Sequence, residues 1–345
     1  MKCSVLIGFR AALIVCLCIS VSCSTSPKEV EQIETEALCN LQENIGKISQ
    51  PMSFAMTSDG GFVLCDFNKI YLYSKDGKQI RQIGRPGRAK FEYNHPMDVA
   101  VYNDTIYVWS SYTATFIAYT LDGTPIAQYR YKSAITNFEP SEDAIYIYTG
   151  GRAYDNVIDV YSKTEKKVIK SLTKATDEHR LLLFNLTASP LLYDGKQLYY
   201  SSMDALDVYT YGADNLEPEL FSKIESETFR VEDGDMSLWQ KQNRSKHQDY
   251  INSNSQVLNI FRDNGDLYVM TLEGVSRLVN DKYDAKDRFF SVYKVSGRKN
   301  HVASYAYDSI DTALLFDSTS DGLYFIKHSI ENGEDVYTLN KLVLD

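Results

Sequence analysis

The chain has 345 residues, 44% of them hydrophobic and 24% charged, enough apolar material for a large core. Its 46 acidic side chains outnumber 36 basic ones, and a surface of that sign repels nucleic acid and anionic lipid while suiting neutral or cationic ligands. Four of the six cysteines lie at or before position 23, which leaves only Cys39 and Cys65 and excludes a disulfide scaffold.

The chain opens with Lys2 and Arg10, and residues 11–21 form a short apolar run. That run is about half the roughly 20 residues a membrane-spanning helix needs. Small residues and Cys23 follow, the layout of a secretory signal peptide. The run Ser20-Val21-Ser22-Cys23 resembles a bacterial lipobox, with Ser20 standing where that pattern prefers Leu. The resemblance implies that Cys23 becomes the lipidated first residue of the mature protein and ties it to a membrane. Loss of residues 1–23 removes two basic and no acidic side chains, moving the formal charge from −10 to −12. Residues 24–35 read as a linker and residues 36–345 as one folded domain.

Along that domain a short pattern recurs: a turn with Asp, Asn or Gly, an apolar run containing Tyr, a gap, and a second apolar run. Copies begin at Gly60, Asp104, Asp143, Gly195, Gly265 and Asp321, spaced by 44, 39, 52, 70 and 56 residues. A unit near 40 residues with insertions is the length of a four-stranded propeller blade, and six copies predict six blades. Ile106-Tyr107-Val108-Trp109 and Ile145-Tyr146-Ile147-Tyr148 are short and dense in β-branched and aromatic residues, so the runs are strands. They are nearly continuous rather than alternating, as expected where both faces of a blade pack on neighbours. The 26 tyrosines suit half-buried strand ends, where a ring is buried and its hydroxyl stays wet.

The fullest unit spans residues 84–131. It runs Gly84-Arg85-Pro86-Gly87, Phe91, then strands at 96–101, 106–109, 116–119 and 126–129, with Asp122-Gly123 before the last. This unit resembles an NHL-type repeat. The chain as a whole is similar to the six-bladed, NHL-like propeller lipoproteins of Bacteroides-type bacteria. The resemblance implies an all-β, six-bladed β-propeller in the cell envelope, lipid-anchored on the periplasmic side or at the surface of the outer membrane.

Asp-Gly or Asn-Gly pairs at 59–60, 76–77, 122–123, 194–195, 264–265 and 321–322 predict tight hairpins. All fall between the first and second or the third and fourth strands of a blade, so one face of the disc is expected to carry short acidic turns. Insertions at 173–189, 225–255 and 272–287 fall in the remaining connections and land on the opposite face. Loops of that length tend to carry function. In the second of them, Ser237-Leu238-Trp239-Gln240 has the pattern of a capping box and predicts a surface helix. The last blade lacks a fourth strand, so the segment 36–42 is expected to supply it and close the ring.

Catalytic signals are sparse. His95, His179, His247, His301 and His328 include no pair at metal-ligand spacing. No nucleophile elbow, phosphate loop or dinucleotide fingerprint occurs. Glu232-Asp233-Gly234-Asp235 lacks the ligand alternation of a calcium loop. No catalytic residue, metal or cofactor is therefore assigned. The candidate ligand-binding residues lie on the long-loop face: Arg85, Arg88, His95, Trp109, Tyr112, Arg152 and Tyr154. Arginines and aromatic rings together suit a glycan or a peptide, by stacking and forked hydrogen bonds. Asp104-Thr105-Ile106, Asp308-Ser309-Ile310, Asp311-Thr312-Ala313 and Asp317-Ser318-Thr319 resemble the Bacteroides-type O-glycosylation triplet. The reading is a ligand-binding or protein-interaction propeller of the envelope, with a glycan, peptide or envelope protein as partner and no nucleic acid. The alternative is a hydrolase or lyase with a site assembled around the propeller channel.

Overall fold

The computed structural model describes residues 34–151, 155–183, 189–212, 216–279, 282–284, 287–295, 301–306 and 313–344. The predicted signal peptide, Cys23, Arg152, Tyr154, Ser309 and Thr312 lie outside them. The described residues form six four-stranded antiparallel sheets, the blades of a propeller. The innermost strands are Pro51–Met56, Pro96–Tyr102, Asn137–Pro140, Leu191–Tyr193, Gln256–Asp263 and Ala313–Ser318. The recurring runs of the sequence are the second strands: Phe62–Asp66, Thr105–Ser110, Ala144–Tyr148, Leu198–Ser201, Asp266–Gly274 and Leu323–Glu331.

Packing explains why those second strands are apolar throughout. Phe62 and Leu64 face blade 6, while Val63 and Cys65 face blade 2. Ile106 and Val108 face blade 1, while Tyr107 and Trp109 face blade 3. The pleat sends successive side chains to opposite faces, and here both faces are buried. The described residues contain six hydrophobic clusters, one at each seam between neighbouring blades. Each fully buried Val, Leu or Phe contributes about 1.5–3 kcal/mol, so the seams hold the ring together.

The tyrosines lie deeper than expected from the sequence. Tyr71, Tyr73, Tyr93, Tyr119 and Tyr293 are among the largest fully buried side chains. Several hydroxyls find internal partners instead of water. Tyr119 donates to the Phe91 carbonyl at 2.7 Å, Tyr131 to Asp159 at 2.7 Å and Tyr293 to Glu273 at 2.6 Å.

The ring closes with the N-terminal strand. Thr35–Asn40 pairs antiparallel with Glu334–Leu342 and is the outermost strand of blade 6. The chain then crosses to blade 1, where the Gln42 N–H donates to the Gly77 carbonyl at 2.7 Å. Gly77 has φ +74°, and a Cβ there would lie 2.1 Å from the Asn40 carbonyl oxygen. The crossing therefore requires glycine, for both its backbone freedom and its lack of a side chain. Cys39 and Cys65 are both free thiols.

The six predicted turns occupy the expected connections. One further Asn-Gly pair, at 332–333, joins the second and third strands of blade 6 and so lies on the opposite face. Residues 173–189 and 225–255 link blades 3 to 4 and 4 to 5, and residues 272–287 fall inside blade 5. The first insertion carries a helix that its sequence did not announce, α1 (Asp177–Leu182). In the second, Ser237 does not cap a helix. The Asp235 side chain accepts from the Ser237 N–H at 2.8 Å, a 3-10 turn follows at Met236–Trp239, and helix α2 begins at Arg244 and runs to Ser253. A carboxylate just upstream is an equally good N-cap acceptor and takes the position first.

The two insertions are tied together. The Gly234 N–H donates to Glu178 at 2.8 Å, and His247 Nε2 hydrogen-bonds with the Leu181 carbonyl at 2.8 Å, filling an acceptor that the end of α1 leaves open. Arg288 donates to the Ile251 and Asn254 carbonyls at the end of α2, where a cation suits the helix dipole. Of the four glycosylation-like triplets, the one at Asp317 places Ser318 in a buried inner strand, bonded by Asn259, so that hydroxyl is not an accessible acceptor.

Candidate functional site

Five of the seven expected ligand-binding residues are described. Arg85 pairs with Glu92, Nε to Oε1, at 2.7 Å on the surface, and Arg88 is exposed. His95 and Tyr112 come together with ring centroids 4.6 Å apart, and Phe67 from blade 1 meets His95 edge-on at 4.8 Å. His95 is held at φ +55°, its carbonyl accepting from the Ser111 hydroxyl at 2.9 Å. These three rings form a strip on the long-loop face, with Tyr112 its most exposed member at 71%. Trp109 belongs to the core: it is buried against Phe116 and Tyr131 in the seam between blades 2 and 3.

Two hollows lie between the inner strands. The smaller, about 260 Å³, opens on the long-loop face among Gln50, Pro51, Trp109 and Thr136. The larger, about 580 Å³, opens on the short-turn face among Thr57, Asn103, Asp194 and Asp321. Ser53, Asp98, Asn137, Ser189 and Phe316 line both and form the belt between them. The deeper space is thus reached from the face opposite the one to which the long insertions drew attention.

The polarity of this channel follows from the fold. Each innermost strand is an edge strand, so one row of backbone groups faces the axis unpaired. Neighbouring blades meet some of that need. Asp317 of blade 6 accepts from the Met56 N–H of blade 1 at 2.9 Å. Ser53 of blade 1 accepts from the Val99 N–H at 3.3 Å and donates to Asp98 of blade 2 at 2.6 Å. Asn259 of blade 5 donates to Ser318 of blade 6 at 3.1 Å.

Asp98, Glu139 and Asp317, from blades 2, 3 and 6, line the larger hollow away from the turns of its mouth. Burial pushes Asp98 up to about 7, against hydrogen bonds from Ser53 and Val99. Asp317 adds to that rise and the nearby Phe138 N–H opposes it. Burial likewise pushes Asp317 up to about 7, against the Met56 N–H. Glu139 is raised well above the carboxylate range by burial and by both aspartates. Glu139 and Asp317 are partly exposed, and both line the hollow between the blades. Asp98 is 6% exposed. Its Oδ1 serves Ser53 and Val99, and its Oδ2 has no partner among the described residues.

The described lining of the larger hollow carries six carboxylates and no Lys, Arg or His. Two at the mouth are balanced from outside: Asp194 by Arg262 at 3.0 Å and Asp321 by Lys341 at 3.6 Å. The deeper three form no ion pair among the described residues. No three His, Cys, Asp or Glu side chains group as a metal site among the described residues. Aromatic rings flank the mouth. Tyr102 and Tyr193 stand 6.2 Å apart, Tyr193 rests on Tyr146 at 5.4 Å, and Tyr324 lines the opposite side.

A second polar cluster has the residue types of a hydrolytic triad without its geometry. His179 Nε2 meets the Tyr148 hydroxyl at 3.0 Å, while Ser202 at 3.1 Å and Asp204 at 3.8 Å share Nδ1. A triad needs the hydroxyl and the carboxylate on opposite nitrogens. His179 is also fully buried. Asp204 is held down to about 2; burial opposes this and is outweighed by hydrogen bonds from His179, Ser202 and Thr176. Thr176 also accepts from the His179 N–H at 3.0 Å, so the cluster anchors the start of α1.

The channel carboxyls were absent from the sequence-based candidates because each stands alone in its strand. A signal was present. Pro51-Met52-Ser53-Phe54-Ala55 and Pro96-Met97-Asp98-Val99-Ala100 are the same segment in successive blades, and the third residue of each lines the channel.

The family model described as a 6-bladed beta-propeller, DUF5128, matches residues 48–310. Among solved structures, an exported-protein candidate from Bacteroides fragilis superposes with a TM-score of 0.65 at 13% identity, covering 91% of this chain and 96% of that one. A DUF4221-family protein from Bacteroides vulgatus superposes with a TM-score of 0.56 at 10% identity, covering 91% and 99%. Likeness at these identities shows the fold alone. No curated protein matches the sequence.

Proposed function

Because the chain belongs to the DUF5128 family of six-bladed β-propellers, we propose that it is a ligand-binding propeller of the cell envelope whose site is the axial channel. One observation carries this reading. The larger hollow, about 580 Å³, has the size of a small-molecule site and combines an open mouth, aromatic walls and buried polar groups left unmatched.

The envelope placement rests on the signal-peptide pattern and the lipobox-like run ending at Cys23, and the exported-protein neighbour from Bacteroides fragilis is in keeping with it. In this reading the NHL-like disc hangs from a lipid on Cys23 through a short linker. The strip of Phe67, His95 and Tyr112, with Arg85, Arg88, Arg152 and Tyr154, is then a second contact surface for a glycan or an envelope protein. Fractionating cells that express Cys23→Ala tests the tether: the variant is expected to leave the membrane fraction, and unchanged attachment contradicts it. The channel is tested by screening the mature chain against neutral oligosaccharides, short peptides and amines. Binding is expected to vanish when the mouth is plugged.

A second reading, a hydrolase or lyase, is favoured by one observation. Asp98 and Asp317 are both pushed up to about 7, the range that suits a general acid or base at neutral pH. Turnover of a glycan or ester by the mature chain, lost in Asp98→Asn, would establish it.

A further inference from the structure

The chemistry of the larger hollow goes beyond a place for some ligand to sit. Its described lining is acidic without a compensating base, and the deeper carboxyls come from three different blades. Acids clustered in this way can be explained by structure alone, and part of this cluster is. Asp317 accepts from the Met56 N–H, and Asp98 Oδ1 accepts from Ser53 and Val99. Those roles leave Asp98 Oδ2 over. It belongs to a side chain only 6% exposed, it lines the hollow, and the Phe138 N–H lies near the carboxyl without forming a well-aligned hydrogen bond to this oxygen. A buried acceptor of this kind costs stability unless something donates to it. Glu139, in the same lining, has no described hydrogen bond or ion pair either. At the mouth, Tyr102, Tyr193 and Tyr324 line the same hollow, and the negative face of an aromatic ring attracts a cation. The rings already show this preference on their outer sides, where Lys163 lies 5.8 Å over Tyr102 and Lys341 lies 5.5 Å over Tyr324.

We infer that the channel takes a compact organic cation, a protonated alkylamine such as a free amine or a lysine side chain, with its ammonium on Asp98 and Glu139 and its alkyl stem between the tyrosines of the mouth. An ammonium supplies donors without acceptors, which matches Asp98 Oδ2 and Glu139 once they are ionised. A neutral sugar would bring acceptors as well and leave the carboxyls uncompensated. A metal ion is disfavoured because the carboxyls do not converge as a ligand group among the described residues. This inference rests on the reading of the channel as the binding site.

The test uses calorimetric titration of the mature chain at pH 8 with three probes of one shape: cadaverine, pentane-1,5-diol and glutarate. Cadaverine is expected to bind and the other two are not. Asp98→Asn and Glu139→Gln are each expected to weaken cadaverine by about tenfold or more, while both variants melt no lower than the parent. A variant with Ser320→Cys in a Cys39→Ser background, carrying a bulky maleimide at the mouth, is expected to lose binding. Equal binding of cadaverine and the diol, or binding indifferent to both carboxyl substitutions, overturns the cation inference and leaves the channel reading standing. Full binding by the plugged variant, or no binding by cadaverine, the diol, glutarate, neutral oligosaccharides or peptides, overturns both.

Discussion

Asp98 uses its two oxygens differently. One ties blade 1 to blade 2 through Ser53, and the other faces the channel without a partner. The second oxygen sets a stability cost that can be measured. In the unfolded chain an aspartate loses its proton near pH 4, whereas folded Asp98 and Asp317 keep theirs up to about 7. The folded state therefore binds more protons between those values. Stability falls as pH rises from about 4 to about 7 and is level above that. Asp98→Asn keeps the acceptor for Ser53 and removes the charge. Scanning calorimetry at pH 8 should show it more stable by roughly 1–3 kcal/mol, with the gain shrinking toward pH 5. No gain at pH 8 would mean that the carboxyl is compensated in the folded protein.

The same titration governs binding. Asp98, Glu139 and Asp317 inside the channel, Asp104, Asp194 and Asp321 at its mouth, and the buried Cys65 thiol beside Asp98 are the titratable groups to be considered. Cadaverine affinity should rise between pH 6 and pH 8 as Asp98 and Asp317 lose protons, and a flat profile would separate them from the site. None of these roles was legible residue by residue. Asp98, Glu139 and Asp317 meet only in the folded ring, and no spacing along the chain relates them. Trp109 shows the converse: an aromatic at a strand end looks like a ligand platform in the sequence, and in the fold it packs into the seam of blades 2 and 3 while lining the smaller hollow.

Single elements were legible where a repeat or a missing partner announced them. The N-terminal strand was expected because blade 6 lacked a fourth strand, and Thr35–Asn40 fills that place. Deleting residues 34–40 should uncover the edge of Glu334–Leu342 and lower the unfolding free energy by several kcal/mol on the scale of about 25 cal/mol per Å² of apolar surface. Urea titration would measure the loss, and sedimentation would detect the self-association that an open edge invites. An unchanged urea midpoint would show that the strand decorates the ring without closing it. Gly77→Ala should cost at least about 1–2 kcal/mol for its left-handed backbone alone, before any clash with Asn40. Helix ends were less legible. Ser237 and Gln240 carry a capping pattern, yet Asp235 occupies the cap, and α1 depends on Thr176 and a buried histidine that its own sequence does not advertise. Thr176→Ala should cost about 1 kcal/mol, read from the same urea titration.

At the scale of the whole molecule, the fold was the most legible property because it is written six times. Successive residues of one strand feed two seams, so the near-continuous apolar runs are the signature of a blade packed on both faces. The channel is the remainder of that arrangement, the place where six edges meet without a seventh element to cover them. Its acidity continues the negative balance of the chain as a whole, but its inner carboxyls lack the counter-charges that Arg262 and Lys341 provide at the mouth. This unmatched acceptor set is the proposed cation site. A crystal structure of the mature chain grown with cadaverine at pH 8 would locate the ligand. The amine is expected in the larger hollow, with a nitrogen within hydrogen-bonding distance of Asp98 Oδ2. Amine found only on the Phe67, His95 and Tyr112 strip, with the hollow left to water, would contradict it.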